Sequence, residues 1–266
     1  MTRALSYEWH RVRSMRATWV TVWCAILGTA IFALAAGAIA GAMGDGDLVS
    51  SSELASFAVA RASMAPLGVG LMSVVSVGGE YRHGTLLTTL LVTPRRSRVA
   101  AAYFAVNAVV AAVVAIVCAG LALTLSAMVF KGFSLGMLPL PSILGIIGVH
   151  VVYSVGWSVF GTSLALLLRS PSRALLVVIA WPLLVEPIVR SAATLTGGVV
   201  SDVAKFILPF SAGGTMQEIS FTGARFLFAP ADTSLSPALG GLIFTTELAI
   251  LMGIAWIRFV RTSRAG

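Results

Sequence analysis

The sequence predicts an all-α integral membrane protein with six transmembrane helices. Three observations carry this. First, 58% of the 266 residues are hydrophobic and 11% are charged, with a mean hydropathy of +0.96. A soluble domain carries roughly 25% charged residues. Second, the apolar residues gather into runs of about 20 or more, the length a helix needs to cross a bilayer core. Third, the runs do not alternate, as barrel strands would. Helices are the remaining way to satisfy a lipid-embedded backbone. The composition excludes a soluble enzyme, a disordered chain, a collagen and a disulfide scaffold. The net charge of +8 would suggest nucleic acid in a soluble chain. Here it sorts the loops across a membrane, and no nucleic-acid partner is expected.

The runs cover residues 17–43, 57–77, 99–130, 142–168, 174–195 and 238–257. Together they make the whole chain, 1–266, one transmembrane domain. The first run has a basic start and the small residues Ala38-Ile39-Ala40 near its end, but it is far longer than a signal-peptide core and more spans follow. It is expected to stay as an uncleaved helix. With the N-terminus in the cytoplasm, 13 of the 18 basic residues fall on the cytoplasmic side, among them Arg3, Arg11, Arg13, Arg16, Arg82, Arg95, Arg96, Arg98, Arg169, Arg173, Arg258, Arg261 and Arg264. Asp45, Asp47, Glu53, Asp202, Glu218 and Asp232 go to the other side. This is the positive-inside pattern, and it puts both termini in the cytoplasm. Abundant Ala, Gly, Val and Arg with little Lys suggests a GC-rich bacterial source, hence a bacterial inner membrane.

Cys24 and Cys118 both lie in apolar runs and read as small apolar filler. No Cys/His cluster has metal-ligand spacing. Gly37 and Gly41 in the first run, and Gly145 and Gly148 in the fourth, have spacings that favour close helix approach.

The stretch 1–16 reads as an interfacial amphipathic helix. Leu5, Trp9, Val12 and Met15 or Arg16 share its apolar face, with Arg and Glu on the others. It is either a basic anchor or a docking surface. The loop 79–98 is longer than a bare connection needs. Thr85 to Val92 would make two helical turns, ended by Pro94, with Glu80 and Arg82 at the membrane edge. A short, stiff, exposed helix of this kind can push on another protein, whereas a solvated basic loop cannot. The segment 196–237 is long, contains Pro209, Gly213-Gly214, Pro230 and Pro237, and carries apolar patches. It should fold back onto the outer membrane surface.

Besides Arg61, which can snorkel from the outer end of the second run, four charged or titratable residues stand inside the runs, where burying charge in lipid is costly. Glu186 and Arg190 are spaced for an ion pair on one helical face, in a run that Pro182 and Pro187 interrupt. His150 invites a hydrogen bond to a neighbouring helix. Glu247 should face protein or water. Each of the four is a structural polar group or part of a transport path.

Glu80-Tyr81-Arg82-His83-Gly84-Thr85, followed by a Leu/Thr helix and Pro94-Arg95-Arg96, resembles the E-x-R-x-G-T pattern of ABC-2 type transporter permeases. Glu8-Trp9, Arg13-Ser14, Arg16 and Trp19 resemble that family's connecting helix. The resemblance implies the transmembrane subunit of a type V-like bacterial ABC exporter. Residues 82–93 would form or flank a coupling helix seated in an ATPase subunit. Glu80, Arg82, Gly84, Thr85, Leu86, Leu87, Thr88, Leu90, Leu91, Pro94 and Arg95 would belong to that contact, with Glu8, Trp9, Arg13 and Arg16 in the N-terminal docking helix. The resemblance also implies short re-entrant helices in 196–237. No G-x-x-x-x-G-K-[ST] is present and no soluble stretch could hold a nucleotide domain. The chain would therefore carry no cofactor and no enzymatic activity of its own. ATP and Mg would be bound by two copies of a partner ATPase, and a second permease chain, identical in preference to different, would complete the unit. The expected cargo is an amphipathic or lipid-like small molecule, drug or peptide. The competing readings are an ion-coupled secondary transporter, which usually shows an inverted repeat, a membrane assembly factor or anchor, and an intramembrane enzyme.

Overall fold

The computed structural model describes residues 2–42, 55, 58–59, 63–92, 94–129, 139–196, 208–217 and 236–261. Among these the regular elements are all helical. In chain order they are α1 (Thr2–Ser14), α2 (Arg16–Ala42), α3 (Ala65–His83), α4 (Leu86–Val92), α5 (Arg96–Val129), α6 (Leu140–Leu168), α7 (Pro171–Ala180), α8 (Glu186–Thr196), α9 (Pro209–Thr215) and α10 (Pro237–Arg261). A turn of π-helix, Trp181–Val185, joins α7 to α8 into one long rod.

Among the described residues, five helices are long and apolar enough to cross a membrane: Arg16–Ala35 of α2, then α5, α6, the α7–α8 rod up to Ala193, and α10. The chain is thus an all-helical, membrane-embedded protein. The sixth expected span, 57–77, corresponds to α3, which is not among the five. Its last turn carries Glu80, Arg82 and His83, and most of residues 51–62 lie outside the described residues. The expected Gly37/Gly41 contact, the acidic residues of the outer loops and most of 196–237 also lie outside them or cannot be assigned side-chain contacts.

The helix ends are written in the sequence. Gly84 closes α3 in the left-handed region, φ 67°, with its N–H on the Glu80 carbonyl. Arg169 closes α6 at φ 50°, the one positive-φ residue other than glycine among those described. Pro171 then opens α7 at a position where its missing N–H costs nothing.

The centre of the bundle is α3 against α6. The helices touch backbone to backbone: a Cβ on Gly161 would lie 2.3 Å from the Gly70 carbonyl oxygen. In contrast, Gly145 and Gly148 face open space, so the close approach expected there is made elsewhere. Polar pairs join α6 to its neighbours: the Ser73 hydroxyl of α3 and the Ser158 hydroxyl of α6 lie 2.8 Å apart, and Asn107 Nδ2 of α5 donates to Thr162 Oγ1 of α6 at 3.1 Å. Hydrocarbon offers such groups no partner, so they pair across helices. Beside them Trp157, Phe160, Phe210 and Phe244 pack ring against ring, with Trp157 and Phe210 centroids 4.3 Å apart.

A second apolar cluster marks one end of the bundle. Val77 of α3, Val99 and Tyr103 of α5, Leu166 of α6 and Phe259 of α10 meet there. The ends that carry Arg82, Arg95, Arg96, Arg258 and Arg261 therefore gather at a single basic end.

Candidate functional site at the basic end

The site is built around Arg11. It lies on α1, which packs against α5. Its Nε donates to Glu8 Oε2 at 2.8 Å, and a second nitrogen bonds the other Glu8 oxygen. Glu80 Oε1 of α3 lies 3.2 Å from the same Nε. The remaining donors reach the Ser76 carbonyl at 2.8 Å and the Ser76 hydroxyl at 3.1 Å. The guanidinium sits 5.6 Å from the Tyr103 ring centroid. Glu80 is itself fully engaged: the Tyr103 hydroxyl donates to Oε2, and the Thr89 hydroxyl of α4 donates to Oε1 at 3.2 Å. The Tyr7 hydroxyl stands 3.5 Å from Thr89 Oγ1.

One guanidinium and two carboxylates thus tie α1, α3, α4 and α5 together. Glu8 and Glu80 are each 1% exposed. Burial pushes the Glu8 carboxyl above its ordinary value, and the Arg11 hydrogen bond and charge recover only part of that. For Arg11, burial acts downward, but its hydrogen bond to Glu8 and the two carboxylates outweigh it and hold the cation firmly protonated. Next to the cluster, burial raises the Tyr81 phenol to about 12.

The face of α1 turned to the bundle is not purely apolar: Ala4, Glu8 and Val12 face it, while Trp9, on the apolar side expected to lie in the headgroups, is 44% exposed. The polar Glu8 goes inside because Arg11 bonds both of its oxygens there, which a hydrophobic count cannot register. Arg13 and Arg16 are exposed, and the Arg13 carbonyl accepts the Trp19 indole N–H at 2.8 Å. Of the expected docking residues, Glu8 alone enters the cluster.

In the 79–98 stretch the short helix forms as expected, and it has two unlike faces. Leu86 and Leu90 pack against the basic-end apolar cluster, and Thr89 is buried between them. On the other side Leu87 is 72% exposed and Leu91 is 85% exposed. Thr88, Thr85, Arg82, Pro94 and Arg95 are exposed around them. Gly84 is open on all sides, so its role is the sharp turn. The Thr85 N–H bonds the Glu80 carbonyl at 3.1 Å, which fixes α4 directly against the end of α3.

Sequence reasoning missed Arg11, Ser76, Thr89 and Tyr103. For Arg11 a signal existed: it follows Glu8 by three residues, an ion-pair spacing on a helix. Tyr103 had none, because its partner is 23 residues away.

The polar residues of the opposite end are joined too. His150 is fully buried; its Nε2 lies 2.9 Å from Ser63 Oγ and its Nδ1 lies 3.2 Å from Gln217 Oε1. The hydrogen bond expected to a neighbouring helix is made instead to residues that flank helices, Ser63 just before α3 and Gln217 just after α9. Glu186 caps the first turn of α9: it accepts the Phe210 N–H at 2.9 Å, the Ser211 N–H at 2.7 Å and the Ser211 hydroxyl at 2.8 Å. The side chain of Arg190, its expected partner, lies outside the described residues. Glu247 is half-buried on α10, and its Oε2 has no hydrogen-bond partner among the described residues. No group of three or more His, Cys, Asp or Glu that could hold a metal occurs among the described residues.

No family model matches the chain, and no curated protein matches it.

Proposed function

We propose that the chain is the membrane-spanning permease subunit of an ABC exporter, driven by a separate ATPase that docks on α4. The observation that carries this is the two-faced α4. A seven-residue helix presents Leu87 and Leu91 outward, flanked by Arg82 and Arg95, while its inner face is bonded to Glu80 and packed on the bundle. Exposed leucines beside arginines at a polar membrane edge are costly unless a partner covers them. The resemblance of residues 80–96 to the ABC-2 pattern names the partner class.

In this reading the basic end is cytoplasmic and both termini lie there, in a bacterial inner membrane. ATP and Mg are held by two ATPase chains, and a second permease chain, a copy of this one, completes the path. Closure of the ATPase dimer displaces α4. The Thr89–Glu80–Arg11 chain passes that displacement to α3, α5 and α1. The opposite end then opens as the helices tilt. The cargo is an amphipathic or lipid-like molecule, and transport requires that its affinity differ between the two states.

The test is co-purification after expression with the neighbouring genes. An ATP-hydrolysing chain that copurifies with the protein, and is lost on Leu87→Ser/Leu91→Ser, supports the reading. A chain that purifies alone, or an ATPase whose binding ignores both leucines, refutes it. One observation favours a second reading, an ion-coupled transporter: Glu247 keeps a buried carboxylate oxygen without a hydrogen-bond partner among the described residues, inside a spanning helix. Transport that follows a proton gradient in vesicles without ATP would select it.

A further inference from the structure

A face of α10 is unlike the rest of the basic end. Its inner side is fixed by Met252, Ala255, Trp256 and Phe259, which pack on the basic-end cluster. Its outer side carries Ile250, Ile254 and Ile257, each about half exposed, on a spanning helix. That stripe runs directly into Arg258 and Arg261, both exposed in the last turns. Ile254, Ile257, Arg258 and Arg261 together border a shallow surface cleft of about 480 Å³, open to the outside over most of its extent. The spacing i, i+3, i+4, i+7 puts all four on one side of the helix.

From this we infer that the cleft binds an anionic phospholipid, with its phosphate between Arg258 and Arg261 and an acyl chain along Ile257, Ile254 and Ile250. Charge complementarity selects the occupant. Guanidinium groups pair phosphate oxygens in a fork geometry, and the isoleucines supply the apolar wall that a free anion would leave uncovered. Depth agrees as well: arginines at the end of a spanning helix sit at headgroup level, and basic clefts at that level hold acidic lipid headgroups. The inference is independent of the permease reading, since it needs neither an ATPase nor a cargo.

The experiment is lipid retention by the full-length purified chain, read by native mass spectrometry after detergent washing. Phosphatidylglycerol is retained at about one molecule per chain, phosphatidylcholine is not, and Arg258→Gln/Arg261→Gln lowers affinity for it about thirtyfold, as removal of two headgroup-facing charges should. Arg173→Gln, an exposed arginine outside the cleft, leaves retention unchanged. Equal retention of phosphatidylcholine overturns the inference. So does an equal loss in Arg173→Gln, which would mean that lipid follows basic charge in general. Inorganic phosphate that displaces the lipid at millimolar concentration identifies an anion site without lipid selectivity and overturns it too. Competition on the unaltered protein gives a readout that needs no variant: excess phosphatidylglycerol displaces a fluorescent phosphatidylglycerol and phosphatidylcholine does not. Equal displacement by both refutes the site.

Discussion

Replacing Arg11 by Met keeps most of the side-chain volume and removes the one cation between Glu8 and Glu80. In the native chain Arg11 faces both carboxylates, with its Nε 2.8 Å from one and 3.2 Å from the other. Without it, two carboxyl groups at 1% exposure face each other. Breaking a buried pair by removing one partner costs about 3–5 kcal/mol. An independent route gives a similar figure. The variant can escape by keeping one carboxyl protonated; holding a group with an ordinary value of 4.5 neutral at pH 7 costs about 3.4 kcal/mol, at 1.36 kcal/mol per unit. At about 2–4 °C per kcal/mol the melting temperature in detergent should fall by roughly 10 °C. The pH dependence separates charge from packing. Burial then raises the Glu8 carboxyl with no cation opposing, so the folded form binds its proton more tightly than the unfolded. Stability is present below about pH 4.5 and lost as pH rises through the raised value. The deficit of Arg11→Met should therefore shrink on acidification, and Glu8→Gln added to it should recover part of the loss at pH 7. A variant that melts with the parent at pH 7, or one equally destabilised at pH 4.5 and pH 7, would refute the reasoning.

Three further substitutions test separate parts of the structure. Tyr103→Phe removes a hydroxyl donated to a buried carboxylate and should cost about 1.5–3 kcal/mol in thermal unfolding, with the fold intact. Glu186→Gln weakens the cap on α9, and hydrogen exchange at the Phe210 and Ser211 amides should accelerate while exchange in α6 does not change. Gly161→Ala places a methyl 2.3 Å from the Gly70 carbonyl and should sharply lower the yield of folded protein, whereas Gly145→Ala, which meets nothing within 4 Å, should leave it unaltered.

The sequence made the helices legible because transfer into lipid depends on residue type summed over a window. The runs 99–130, 142–168 and 238–257 lie within a few residues of α5, α6 and α10. Proline and glycine marked the ends of α3, α4 and α7 for the same local reason. Partnerships were not legible. Glu80 drew attention as a charge at a membrane edge, yet nothing local says that its partners are Arg11 and Tyr103, which lie on other helices. The burial of Glu8 was not legible either, because hydrophobicity assigns a carboxylate outward, whereas one with two guanidinium contacts can be buried; Trp9 keeps the exposure that an indole tolerates at an interface. Glu186 was paired with Arg190 by spacing, and the side chain of Arg190 lies outside the described residues; the partners seen for Glu186, the Phe210 and Ser211 N–H groups and the Ser211 hydroxyl, sit on a segment 24 residues on and left no mark in the spacing. A helix terminus carries no side-chain signature that a distant acid would match.

The construction of the basic end also bears on how a push on α4 would travel. Leucines against a bundle can slide, since dispersion contacts have little direction; Leu86 and Leu90 alone would let α4 roll. The Thr89 hydroxyl on Glu80 and the guanidinium beside the same carboxylate have fixed geometry, so α4 cannot roll without unpairing a buried charge. Such ionic groups add little net stability, but they fix register. If that is their role, the energetic link between α1 and α4 is larger than their contact area implies. A double-mutant cycle with Arg11→Met and Thr89→Val, read in thermal stability, should give a coupling of about 0.5–3 kcal/mol through the Glu80 carboxylate that both side chains contact. The same cycle with Leu86→Ala replacing Thr89→Val should be additive within about 0.5 kcal/mol. Additivity in both cycles would mean that α1 and α4 are held independently, and a displacement of α4 would then stop at the end of α3.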